Sequence, residues 1–413
     1  MRIAYYSHYF TPEIGAPSAR IHDFAKQWLS MGHQIEVVTC LPNHPTGKLY
    51  PGYSPCLSMD ENIDGIEVYR NWSYITPNKG FVKKTLGHIS FWPAACLLTN
   101  RRIPKPDVAI GTSPTFFAPM AAAALAKRHK IPFIMEVRDL WPAIFVDLGV
   151  LRIRAVIRLL EKWELAMYRR ATRVVTVTES FRSHLIARGV PASKVHTVPN
   201  GADVDFWQPP ESDAELRARL SLTGSFVVLY LGAHGISHAL ARILDAAQML
   251  ASLPRISFLF VGEGAEKAAL VRRAKEARLP NVQFLDPTNR ENVLKYYSVA
   301  DVCLVPLKAV PLFETFIPSK IFEIMAVARP MVASVRGEAA DILRNSGGAL
   351  VVEPENSAAI AHGIRFLYEH PEEARAMGRC GRAFVVKNYS RRMLATRYLE
   401  ILEETIAADQ ERP

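Results

Sequence analysis

Pro318-Ser319-Lys320-Ile321-Phe322-Glu323 sets a hydroxyl, an amine and a carboxylate within about one helical turn. Ser319 is a good N-cap, and a helix starting there brings Ser319, Lys320 and Glu323 together at spacings of three and four. The free N–H groups and positive end of such a helix attract a diphosphate, and Lys320 adds a full charge. Glu323, one turn in, is placed to accept hydrogen bonds from two neighbouring ribose hydroxyls. An ordinary capped surface helix with an i,i+3 ion pair has the same sequence, and both readings stand on these residues alone.

Arg138-Asp139-Leu140-Trp141-Pro142 follows a strand-like run ending near Glu136, so Asp139 would sit at the carboxyl end of a parallel strand, where ligands bind in open α/β sheets. Asp139 and Arg138 are therefore candidates to face a bound ligand. A buried Arg-Asp structural pair is the alternative. Asp203-Val204-Asp205 has the form of an acidic metal motif, but it follows Asn200-Gly201 and reads as a turn, so no metal is expected. Gly262-Glu263-Gly264 follows a strand as a dinucleotide fingerprint would, yet no third glycine follows and the signal for NAD is weak.

The elements that must position these residues alternate. Strands are expected at Arg2–Tyr6, Gln34–Cys40, Asp107–Gly111, Pro132–Glu136 and Arg173–Val177 in the first half. In the second half they are expected at Phe226–Leu231, Ser257–Val261, Val282–Phe284, Val302–Pro306, Met331–Ser334 and Ala349–Val352. Helical stretches separate them, the first from Ser18 to Met31 with Ile21, Phe24, Ala25, Trp28 and Leu29 on one face. Such alternation predicts an α/β protein of two Rossmann-like, doubly wound parallel-sheet domains facing across a cleft. The expected division is 1–199, 200–390 and a last helix in 391–413 that either closes the second domain or crosses back to the first.

The chain has 413 residues, net charge +10 and five scattered cysteines, which suggest neither a disulfide framework nor a zinc site. Residues 1–200 hold 25 Lys or Arg against 14 Asp or Glu, so the excess positive charge lies in the first half. That bias suits an anionic partner, a membrane surface or phosphate-bearing lipid, and no recognisable nucleic-acid module accompanies it. The apolar run from Phe81 to Leu98, edged by Lys83, Lys84, Arg101 and Arg102 and interrupted by Pro93, is too short to span a bilayer. It reads either as a membrane-interface segment or as a helix buried against the first core. The chain opens directly into a strand-like run, so the expectation is a cytoplasmic protein, peripheral on the inner face of the membrane.

The Gly15 loop, Glu136-Val137-Arg138-Asp139-Leu140-Trp141-Pro142, Val198-Pro199-Asn200-Gly201-Ala202-Asp203, Val261-Gly262-Glu263-Gly264 and Pro318–Glu323 together resemble a family 4 glycosyltransferase of the GT-B fold. The runs Ser7–Arg20 and Pro42–Gly47 are similar to bacterial O-antigen and capsule transferases of the fucosamine-transferase type. The resemblance implies metal-independent, retaining transfer from a nucleoside-diphosphate sugar, UDP by family, to a polyprenyl-diphosphate-linked saccharide, with no cofactor. It implies Glu323 at the ribose, Pro318, Ser319 and Lys320 at the diphosphate, and Gly15 and Ala16 approaching the donor from the other domain. Gly232, His234, His238, Gly262, Glu263, Glu314 and Thr315 are the further candidate donor contacts. Glu13, Arg20, Lys83, Lys84 and Arg138 are the candidate acceptor contacts, and Asp139, Lys320 and Arg138 the catalytic ones.

Two departures stand out. Where many members carry an Arg and a Lys, this chain has Gly232-Ala233-His234-Gly235-Ile236-Ser237-His238, so His234 or His238 would have to substitute as imidazolium, or Lys320 carry the charge alone. The paired glutamates of the family are also broken, with Glu314 and Thr315 near the outer place. A nucleotide-sugar epimerase on the same architecture and an inactive membrane-associated scaffold are the competing readings.

Overall fold

The computed structural model describes residues 1–44, 46–76, 81–114, 116–147, 149 and 151–411, without the side chains of Phe81, Val82 and Lys84. By packing, the chain divides into Met1–Asn200 with Arg391–Pro413, and Gly201–Ser390.

The first unit runs β1 (Arg2–Tyr6), α1 (Ala16–Ser30), β2 (Gln34–Cys40), β3 (Ser58–Ile63), β4 (Ile66–Asn71), α2 (Phe81–Ala94), β5 (Val108–Thr112) and α3 (Phe117–His129). It continues through β6 (Phe133–Val137), α4 (Ala143–Asp147), α5 (Arg154–Arg170), β7 (Arg173–Thr176), α6 (Glu179–Ala187) and β8 (Val195–Thr197). The sheet order is β3-β4-β2-β1-β5-β6-β7-β8, parallel except for β3. Helices cover both faces, so β1, β5 and β6 are almost wholly buried and apolar. The antiparallel β3–β4 hairpin and the short β8 were not among the expected strands. Asp64-Gly65, both at positive φ, make the two-residue turn of that hairpin.

The second unit holds α7 (Ala214–Arg219), β9 (Phe226–Leu231), α8 (Leu240–Met249), β10 (Ile256–Val261), α9 (Lys267–Glu276), β11 (Val282–Leu285), α10 (Arg290–Val299) and β12 (Val302–Pro306). Then come α11 (Lys320–Ala326), β13 (Met331–Ser334), α12 (Gly337–Ser346), β14 (Ala349–Val352), α13 (Ser357–Glu369) and α14 (Pro371–Asn388). Its all-parallel sheet is ordered β11-β10-β9-β12-β13-β14. Successive strands step outward from β9 in one direction and from β12 in the other, which puts the topological switch point between them.

The final helix, α15 (Arg391–Gln410), packs in the first unit, not the second. Leu394, Ala395, Tyr398 and Leu402 share a core with Phe24 and Trp28 of α1, and Trp28 Nε1 donates to the Ala395 carbonyl at 2.9 Å.

Candidate functional site

In the second unit the loops after β9, β10 and β12 meet the start of α11 at the carboxyl edge of the sheet. The β9 and β10 loops lie backbone to backbone: Gly232 donates to the Val261 carbonyl at 3.0 Å and His234 to the Glu263 carbonyl at 2.8 Å. Gly232 and Gly262 have φ of 140° and 148°, and a Cβ on Gly262 would run into the Gly232 carbonyl. Only glycine fits there. A Cβ on Gly232 would lie 2.8 Å from Lys320 Nζ, so that amine sits directly against the loop backbone.

Lys320 Nζ is buried with no hydrogen-bond partner, 4.2 Å from the centroid of the Tyr230 ring. Burial lowers its pKa to about 8, with Glu323 acting in the opposite direction. Tyr230 was missed in the sequence; its hydroxyl donates to the Ala233 carbonyl at 2.6 Å and its ring floors the amine. Strand alternation places residue 230 just before the loop, which was the available signal.

Burial works against the imidazolium expectation for the two histidines. His234 is fully buried, and burial first, then Lys267, lower its pKa to about 4. Burial and then Lys320 take His238 to about 3, although its Nδ1 lies 3.4 Å from the Pro306 carbonyl. Both shifts favour the neutral ring, and both ring nitrogens of His234 lack a partner. The N-cap reading of Ser319 also fails: Ser319 is itself helical (φ −57°, ψ −28°), its side chain makes no capping bond, and α11 has only seven residues. The turn is tightened instead by Ile321 and Phe322 N–H bonding to the Pro318 and Ser319 carbonyls. Glu263 is exposed and paired with Lys267 at 3.4 Å. Glu314 is exposed 3.8 Å from Arg336, and Thr315 Oγ1 donates to the Leu312 carbonyl.

In the first unit the structure reassigns two candidates. Arg20 is completely buried, ion-paired with Glu136 at 3.0 Å, and donates to the Val198 and Pro199 carbonyls. Its guanidinium has no face left for an acceptor. Burial alone would raise the Glu136 pKa, but Arg20, Arg138 and hydrogen bonds from Tyr5 and Thr112 outweigh it and hold the group below its usual value. Glu13 is likewise buried, accepting the backbone N–H groups of Phe10, Asn43 and His44, and it organises the loop after β2. Gly15 caps α1 in extended conformation, where a Cβ would touch only Pro17 at 3.6 Å, and Ala16 opens the helix.

Arg138 and Asp139 do stand at the carboxyl end of β6, where Ser113 Oγ accepts both backbone N–H groups. Arg138 is 8% exposed, and its Nε and Nη1 have no partner. A buried guanidinium with two open donors suits an anion. Also missed in the sequence is a ring cluster at the ends of β1 and β2. Tyr9 hydroxyl lies 3.2 Å from His88 Nε2, His8 packs edge-on to His88, and His44 lies against Tyr9. His8, Tyr9 and His44 fall inside the runs that carry the family resemblance, but their meeting with His88 depends on the packing of α2.

α2 continues through Pro93 into a π-helical turn at Ala95–Thr99, so the proline does not interrupt it. Phe91 and Ala95 face the core, while Leu86, Ile89, Trp92 and Leu97 are exposed, as is Lys83. The side chain of Lys84 lies outside the described residues. No helix among the described residues is long and apolar enough to cross a membrane.

Residues 15–201 match the glycosyl transferase 4-like domain, and residues 212–384 match glycosyl transferases group 1. The chain is a family 4 glycosyltransferase. This glycosyltransferase is 27% identical over 380 residues to the putative colanic acid biosynthesis glycosyl transferase WcaI of Escherichia coli, covering 88% of this chain and 91% of that one. It is 28% identical to the D-rhamnosyltransferase WbpZ of Pseudomonas aeruginosa over 45% of this chain and 47% of the other. Sucrose-phosphate synthase from Thermosynechococcus elongatus has a TM-score of 0.77 at 19% identity, covering 98% of this chain and 99% of that one. Anabaena Alr3699/HepE in complex with UDP-glucose has a TM-score of 0.73 at 17% identity, covering 98% and 100%. The family 4 glycosyltransferase therefore has the GT-B fold.

Proposed function

We propose that this glycosyltransferase moves a sugar, with retention of configuration, from a UDP-sugar to a polyprenyl-diphosphate-linked saccharide in cell-surface polysaccharide synthesis. The observation that carries the donor half is the buried, unpartnered Lys320 amine against the Gly232 backbone at the sheet switch point. Glu323 takes the ribose hydroxyls, and Lys320, with neutral His234 and His238 beside it, takes the diphosphate. The C1–O bond to the diphosphate breaks as the acceptor oxygen bonds to C1 on the same face, and the acceptor proton passes to the departing diphosphate. Protein groups position the reactants and stabilise the growing negative charge, with no metal in the scheme. Arg138 would hold an acceptor phosphate and Asp139 the reacting sugar. The polymer assignment draws support from the likeness to WcaI and WbpZ, and uridine from the HepE complexes. An anionic membrane surface, met by Lys83 and the exposed face of α2, brings the lipid-linked acceptor.

Replacing Lys320 by Ala should lower transfer at least about a hundredfold, on the scale of losing one charge-stabilising group, and leave the melting temperature no lower. Near-normal transfer would sink the assignment. Donor incubated without acceptor separates the epimerase alternative, which changes the sugar without releasing nucleotide in proportion.

A further inference from the structure

A second amphipathic face lies outside every residue assigned so far. Along α5, Val156, Leu159 and Trp163 are 38%, 59% and 49% exposed, and Ile153 just before the helix is 65% exposed. Their spacing of three and four residues lines them up on one side. Arg154, Arg158, Lys162, Arg169 and Arg170 are exposed on the same helix, as is Arg152 just before it. The acids of the segment are withdrawn: Glu164 is buried against Arg188 and the Tyr168 hydroxyl, and Glu161 is half-buried. The exposed surface of residues 152–170 is therefore mainly apolar and cationic, with Glu161 its one partly exposed acid.

We infer that α5 docks on an anionic lipid surface, lying in its plane with Leu159 and Trp163 inserted at the headgroup boundary and Arg158 and Lys162 on the lipid phosphates. Charge complementarity selects this occupant, since six exposed bases against one partly exposed acid repel a second copy of the same face. A 17-residue helix is about 25 Å long, enough to lie across many headgroups. The tryptophan between bases and aliphatics matches the composition of interfacial helices. α5 also shares a layer with α2. α2 packs on α3, α3 packs on β5 and β6, α5 packs on β6, and Arg170 of α5 reaches the Ala123 carbonyl of α3. Right-handed crossovers put the helices of this half of the sheet on one face. The inference deepens the membrane part of the proposed function and extends the docking surface beyond the basic and apolar edge of α2.

The test uses the full chain with phosphatidylglycerol and phosphatidylcholine vesicles, and a UDP thermal shift as the check on fold and donor site. Wild-type protein should sediment with phosphatidylglycerol vesicles and not with phosphatidylcholine alone. Leu159→Glu with Trp163→Glu, and separately Arg158→Glu with Lys162→Glu, should each weaken partitioning at least tenfold without changing the UDP shift. Brominated phosphatidylglycerol should quench tryptophan emission, and Trp163→Phe should remove part of that quench. If the α5 variants partition normally while Leu86→Glu with Ile89→Glu releases the protein, α5 is not a docking helix although α2 is. Failure of wild-type protein to bind phosphatidylglycerol overturns both. A wild-type dimer split by the α5 variants assigns the face to a second copy and overturns the inference. None of these outcomes touches the transfer reaction, which the Lys320→Ala measurement decides.

Discussion

Lys320 joins stability to function. Its pKa of about 8 lies below the ordinary lysine value, so the folded state loses stability as pH falls from about 10.4 toward 8 and carries the whole deficit below that. Lys320→Met removes the buried unpaired ammonium and should raise unfolding free energy by on the order of 1–3 kcal/mol near pH 7 in urea titrations, while abolishing transfer. The donor is an anion, so kcat/KM for the UDP-sugar should decline as pH rises through about 8, where free enzyme loses that charge. Between pH 5 and 7 it should show no limb from His234 or His238, whose values near 4 and 3 lie below that window. A limb near 6.5 that is lost in a His238→Gln variant would restore the imidazolium. The sequence shows that basic residues are missing from the loop, but not that burial discharges the histidines, because that cost depends on what packs around the rings.

At the scale of elements, residues of like appearance in the sequence part company. Arg20 and Arg138 are both bases near ligand-binding loops, yet α1 turns Arg20 inward onto Glu136 and two carbonyls, while β6 ends with Arg138 still holding open donors. Arg20→Met should cost about 3–5 kcal/mol, because it strands the buried Glu136 carboxylate. Guanidinium chloride melts would report this, and acceptor KM for the remaining folded enzyme should hardly move. A large rise in acceptor KM without loss of stability would return Arg20 to the site. The strands of the second unit were legible because each is a short apolar run between helical stretches. The β3–β4 hairpin carried its Asp-Gly signal as well, but its half-polar strands lack the apolar run that marks the buried ones.

Across the whole molecule, the chain leaves the first unit at Asn200-Gly201 and re-enters it at Ser390-Arg391. Ala202 N–H donates to the Tyr389 carbonyl at 3.0 Å, so the two crossings run side by side. Arg391 pairs with buried Asp23 and bonds the Ala19 carbonyl, fixing α15 on α1. Deleting residues 391–413 should expose Phe24, Trp28 and their cluster and make the protein aggregate, as read by size-exclusion chromatography. A soluble truncated chain with an unchanged melting temperature would show α15 to be dispensable. The sequence by itself determined the alternating α/β pattern, most of the strands, the excess of positive charge in the first half and the segment containing Lys320 and Glu323. These are properties of local order and composition. Tertiary structure alone decided that α15 joins the first core, that Arg20 and Glu13 are structural, that Tyr230 underlies Lys320 and that α5 keeps its bases exposed while withdrawing its acids. Each of these turns on which groups lose water on folding, and that is set by neighbours distant in the chain.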